Sequence, residues 1–87
     1  MDKFELMERT RQFAVRVYKL VDRLPKTQGA KVISYQLLKS SSSVAANYRA
    51  ACRGKSKADF INKMKIVEEE ADESLFWLQF IKDLGLI

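Results

Sequence analysis

Residues 40–60, from Ser40 to Phe60, read SSSSVAANYRAACRGKSKADF. Small side chains keep a helical rhythm through the serines and alanines until Gly54, which Arg49, Arg53, Lys55 and Lys57 surround. Serine is a poor helix former, costing about 0.5 kcal/mol relative to alanine, so four in a row resemble a linker. The seven-residue spacing of Ala30, Leu37, Val44 and Ala51 nevertheless passes through them without losing register, so the stretch is one helix. Small residues at its middle let a second helix approach closely, which assigns the serines a packing role.

The flanking sequence supplies two more helices. Upstream, Leu6/Met7, Phe13/Ala14, Val17, Leu20/Val21 and Leu24 fall at the 3–4 spacing of a single buried stripe. They predict a first helix over about residues 5–24, stopped by Pro25. The short link Pro25-Lys26-Thr27, with Thr27 as N-cap, returns the chain antiparallel into a second helix over about 28–53. On that helix Ile33, Ser40 and Asn47 form a row beside the main seam, with Tyr48 close to it. Asn47 is read as a bundle contact, its amide bonding across to another helix and fixing register. Gly54 is expected to end the helix at positive φ. Ser56 with Asp59 resembles a capping box for a third helix over about 57–84, ended by Gly85. No segment alternates apolar and polar residues as a strand would. The fold class is all-α: a single domain, residues 1–87, forming an antiparallel up-and-down bundle.

The third helix carries more apolar surface than two neighbours can cover. Its seam is Phe60, Met64, Val67, Ala71, Ser74, Leu78 and Ile81, and beyond it lie Ile66, Leu75, Phe76, Trp77 and Phe80. A helix apolar on most sides belongs inside something, and each large side chain left wet forgoes about 1.5–3 kcal/mol. Val44, Asn47, Tyr48, Phe76, Trp77 and Phe80 are therefore the expected bundle and subunit contacts.

Charge is divided along the chain. Residues 1–65 hold fifteen basic and five acidic side chains, residues 66–87 one basic and six acidic, for a net charge of +5 overall. Residues 26–58 hold seven basic side chains and no acid. Arg49 and Arg53 share a helix face, with Lys55 and Lys57 in the following turn; Arg16, Lys19 and Arg23 add charge on the first helix. Such a surface suits the phosphates of RNA or DNA, with affinity falling as salt rises, and it also suits docking of basic and acidic ends between subunits. No exposed aromatic ladder for stacking unpaired bases is legible.

Other chemistry lacks its residues. The run Glu68-Glu69-Glu70-Ala71-Asp72-Glu73 places carboxylates at i and i+4, but a di-iron bundle needs Glu-x-x-His pairs and the chain has no histidine. Serines are plentiful without an ordinary base to activate them. Three isolated glycines form no phosphate loop. Neither catalysis nor a cofactor is expected. A lone Cys52 fits a reducing cytoplasm, and neither a signal peptide nor a membrane span is legible.

Ser43-Val44-Ala45-Ala46-Asn47-Tyr48-Arg49-Ala50-Ala51, continued by Ser56-Lys57-Ala58-Asp59-Phe60 and by Glu68-Glu69-Glu70-Ala71-Asp72-Glu73-Ser74-Leu75-Phe76-Trp77-Leu78, resembles the bacterial four helix bundle protein family. That family includes the 23S rRNA intervening-sequence proteins and, more distantly, the accessory protein of diversity-generating retroelements. The resemblance implies a fourth helix after the Gly-Leu-Ile turn, where this chain reaches Ile87. It also implies a ring-like homo-oligomer, a pentamer in known relatives, and a non-enzymatic accessory role with structured RNA or DNA, in company with another protein.

Overall fold

The computed structural model describes residues 1–87 and places three helices: α1 Lys3–Val21, α2 Gln28–Cys52 and α3 Lys57–Asp83. They run up, down and up in a rod of 44 × 20 × 17 Å. Both α1 and α3 pack along α2, while nowhere do Cα atoms of α1 and α3 come within 8 Å of each other. The second helix is the spine, and one side of the bundle stays open.

Local chemistry explains each helix end. Asp2 begins α1 by accepting a hydrogen bond from the Glu5 amide at 2.9 Å, so the helix starts two residues earlier than its apolar stripe indicates. It stops at Val21, short of Leu24, in a tight turn where the amides of Arg23 and Leu24 donate to Leu20 and Val21. That turn folds Leu24 back into the core. Thr27 caps α2 and Ser56 caps α3, each accepting from the amide three residues on. Only half of the expected capping box forms at Ser56, since the Asp59 carboxylate makes no return bond to it. The third helix closes in a Schellman motif: Gly85, at φ +71°, donates to Lys82, and the Leu86 amide donates to Ile81.

Gly54 departs from expectation. Its φ is not positive, Gly85 being the sole residue with φ above zero. Close approach explains the glycine instead, because a Cβ there would lie 3.1 Å from the Ala51 carbonyl oxygen.

The seam on α2 is as its spacing dictates: Ala30, Leu37, Val44 and Ala51 are all buried. Val17, Leu24, Ile33, Leu37 and Ile81 form the core cluster at the α1–α2 turn, with Phe13, Leu20, Trp77 and Leu78 around it. On α3 only Ser74 and Ile81 are buried, while Phe60 and Ala71 are exposed. The α3 seam is thus real towards its C-terminus and wet towards its start.

The serine run forms the closest helix contact. Ser40 and Ser41 have no exposed surface and Ser74 has 1%. Ser74 Oγ lies 2.9 Å from Ser40 Oγ, joining α3 to α2 in the middle of the bundle. Ser74 donates to Ser40, and Ser40 donates to the Leu37 carbonyl at 3.1 Å. Ser41 and Ser42 likewise donate back to the carbonyls of Leu38 and Lys39. Back-bonding of this kind lets hydroxyls enter a core unpenalised, and no buried side-chain polar atom lacks a partner. Asn47, read as the cross-bundle amide, keeps its bonds inside α2: Nδ2 donates to the Ser43 carbonyl and hydroxyl at 2.9 and 2.8 Å. The amide side chain is long enough to turn back one helical turn, and Ser43 offers two acceptors there. Ser40 and Ser74 provide the interhelical bond in its place.

Ser40→Leu should force the two helices apart and lower unfolding stability by about 1–3 kcal/mol. Ser40→Ala, which keeps the close approach, should cost no more than about 1.5 kcal/mol. Urea denaturation followed by circular dichroism compares them; a leucine variant as stable as the alanine variant would refute close packing at this point.

Candidate nucleic-acid interface

Arg49 and Arg53 come from the last turn of α2 and its C-cap, where a cation also opposes the helix dipole. They line a groove between α1 and α2, about 720 Å³ in volume, with Arg11 and Glu8. Its apolar lining comes from Phe4, Met7, Ala14, Ala45 and Ala46. Small residues in the second half of α2 leave this hollow open, just as the serines on its core side admit α3. Arg11 donates to both carboxylate oxygens of Glu8. That bond holds the Glu8 carboxyl below its usual range. It is also the only ion pair in the molecule, so Arg49 and Arg53 have no carboxylate partner.

Lys55 in the turn after α2 and Lys57 at the first position of α3 are both exposed, so four of the expected cations gather at one end of the rod. Arg16, Lys19 and Arg23 do not join them. Arg23 sits in the α1–α2 turn, a full α2 length of about 37 Å from Arg53. Arg16 is about 140° around α1 from Arg11 at 100° per residue, off the groove side. Screening falls off over about 8 Å at physiological salt, so the two groups act as separate patches. Sequence reasoning missed Arg11, whose place beside Arg49 follows only from the antiparallel pairing of α1 with α2. Lys26 serves the helix end instead, its Nζ lying 3.5 Å from the Asp22 carbonyl oxygen.

The expected packing residues divide. Val44 and Tyr48 are each 6% exposed, and Trp77 is half-buried against the core. Hydrogen bonding with the Cys52 side chain one turn on, then burial, push the Tyr48 phenol above its ordinary value. Phe76 and Phe80 face outward, stacked on each other at 5.8 Å between centroids, with Trp77 edge-on to both. The acids of α3 form no ion pair with Lys63 or Lys65, and no three acidic, cysteine or histidine side chains converge as metal ligands. No helix is long and apolar enough to cross a membrane.

The sequence profile of the 23S rRNA-intervening sequence protein family matches residues 2–87. The chain belongs to that family. It is similar to a crystal structure from Bacteroides thetaiotaomicron, described as a protein of unknown function from the S23 ribosomal protein family. The two share a TM-score of 0.91 and 37% identity over 100% of this chain and 78% of the other. No curated protein matches the chain. Family membership accounts for the bundle and leaves the activity to the geometry.

The exposed cations should contribute little to folding. Replacing Arg49, Arg53, Lys55 and Lys57 together with glutamine should change unfolding stability by less than about 1 kcal/mol, as chemical denaturation would show. A loss of several kcal/mol would make them structural residues.

Proposed function

We propose that this chain is a non-enzymatic, self-associating accessory protein that binds RNA or DNA through the cationic face of α1 and α2. One observation carries the proposal: the arginines and lysines of this face are exposed and, Arg11 apart, unneutralised. A surface that merely kept the protein soluble would gain from interleaved carboxylates, and α2 has none. Contacts of this kind hold phosphates, so affinity follows charge and salt. The cytoplasm, where Cys52 stays a thiol, is the proposed location.

Self-association has separate support. Phe76, Phe80, Leu84 and Leu75 are each more than a third exposed on α3, and contiguous apolar surface of this kind marks an interaction face. We assign part of that cover to a fourth helix on the open side and part to neighbouring subunits in a ring. In such a ring the cationic ends would recur around one axis and raise avidity for a long polyanion.

Mobility shifts with a structured RNA at two salt concentrations test the binding. The wild type should bind at low salt and lose affinity steeply as salt rises. The Arg49→Gln, Arg53→Gln, Lys55→Gln, Lys57→Gln variant should bind more weakly, its log–log salt slope smaller by roughly one per lost phosphate contact. Binding absent even at low salt would refute the proposal, and an unchanged slope would remove these four residues from the site.

A further inference from the structure

Exposed aromatic rings and cations alternate along the seam between α1 and α2. On α1, Phe4, Arg11 and Tyr18 stand seven residues apart, in one row. On α2, Tyr35, Ser42 and Arg49 repeat that spacing, running the opposite way. The rows meet across the seam at Phe4, Arg11, Ser42 and Arg49, and Tyr35 continues the α2 row beyond them. Phe4 and Arg11 line the large groove with Ser42 and Arg49, and Tyr18 lines a smaller hollow of about 190 Å³ with Lys26, Lys31 and Ser34. The three rings are 67%, 60% and 63% exposed. A ring held for the core would be buried as Tyr48 is; these offer faces to solvent. Lys3 Nζ lies 5.3 Å from the Phe4 ring centroid, which adds a cation at that end.

Phosphates alone need only charge. Rings spaced along a basic groove add something a duplex cannot use, because its bases are already stacked inside the helix. Unpaired bases can lie flat on aromatic rings while the phosphates between them meet arginine and lysine. From Phe4 to Tyr18 the α1 row spans about 21 Å, long enough for several nucleotides.

We propose that the α1–α2 seam is a binding groove for unpaired nucleotides, with Phe4, Tyr18 and Tyr35 as stacking platforms and Arg49, Arg53 and Lys31 as phosphate contacts. The proposal rests on the nucleic-acid reading above and refines it: the ligand is a single strand, or the loops and bulges of a folded RNA, in preference to a duplex. Charge favours this occupant, since cations outnumber acids in both hollows (Arg11, Arg49 and Arg53 against Glu8, Lys26 and Lys31 against Asp22) and the ligand is anionic along its whole length.

Fluorescence anisotropy tests the inference, using a labelled single-stranded RNA of about 12 nucleotides and the same sequence as a duplex, at matched salt. The wild type should bind the single strand more tightly. Phe4→Ala, Tyr18→Ala and Tyr35→Ala should each weaken single-strand binding about tenfold and leave duplex binding unchanged. Tyr18→Phe and Tyr35→Phe keep the ring and should bind like the wild type. Equal affinity for both forms, with the alanine variants unaffected, would overturn the groove while leaving charge-driven binding in place. Binding of neither form would overturn both. Alanine variants that lower the assembly mass without changing RNA affinity would show that a second copy covers the seam, which also overturns the groove.

Discussion

One helix has to touch two neighbours that do not touch each other. This constraint falls on α2, and its side chains answer it from opposite sides. Towards α3, Ser40 and Ser41 remove bulk, and the Ser40–Ser74 hydroxyl contact sets how near the backbones come. Towards α1, Ala45 and Ala46 do the same and leave a groove. A large residue at Ser40 would push α3 away and loosen Ile81 from Leu37, which hold the core cluster together. The serines are poor helix formers tolerated because their hydroxyls bond the preceding turn.

A spine with two flanking rods has a thin core. Twelve of 87 residues are buried, and an isolated chain this size is marginal even when its core is complete. Burying one large side chain is worth about 1.5–3 kcal/mol against a typical total stability of 5–15 kcal/mol. Leaving Phe76, Phe80, Leu75 and Leu84 wet is therefore a large omission, and it explains why α3 looks built for a neighbour. The same segregation appears in charge: α1, α2 and the turns that follow them hold twelve of the sixteen cations, and α3 seven of the eleven acids.

Much of this was legible in the sequence, and particular residues show why. The seam Ala30, Leu37, Val44 and Ala51 could be read because a seven-residue apolar repeat has one helical interpretation. Thr27 and Ser56 were legible as caps because the first free amides of a helix need a nearby acceptor. Asn47 and Gly54 misled. The partner of an amide depends on what lies within reach, and Ser43 was nearer than α3. A glycine after a helix serves close approach as readily as positive φ, and composition does not separate the two. The basic set was read as one surface because linear order hides that Arg23 and Arg53 lie at opposite ends of the rod. Arg11 and the three exposed rings were missed for the same reason, since their alignment with Arg49 arises only when α1 folds back along α2.

Small residues fix the spine and the spine leaves an apolar side uncovered; in the assembly proposed above, cover from further helices would bring the cationic faces of several subunits together. Self-association is the step on which the rest depends. Light scattering after size exclusion, with the 87-residue chain at micromolar concentrations, measures it most directly. The account predicts a particle whose mass is a multiple of 10.1 kDa, with Trp77 fluorescence blue-shifted as in a dry interface. A cooperatively folded 10.1 kDa monomer with Trp77 emission typical of water would contradict it.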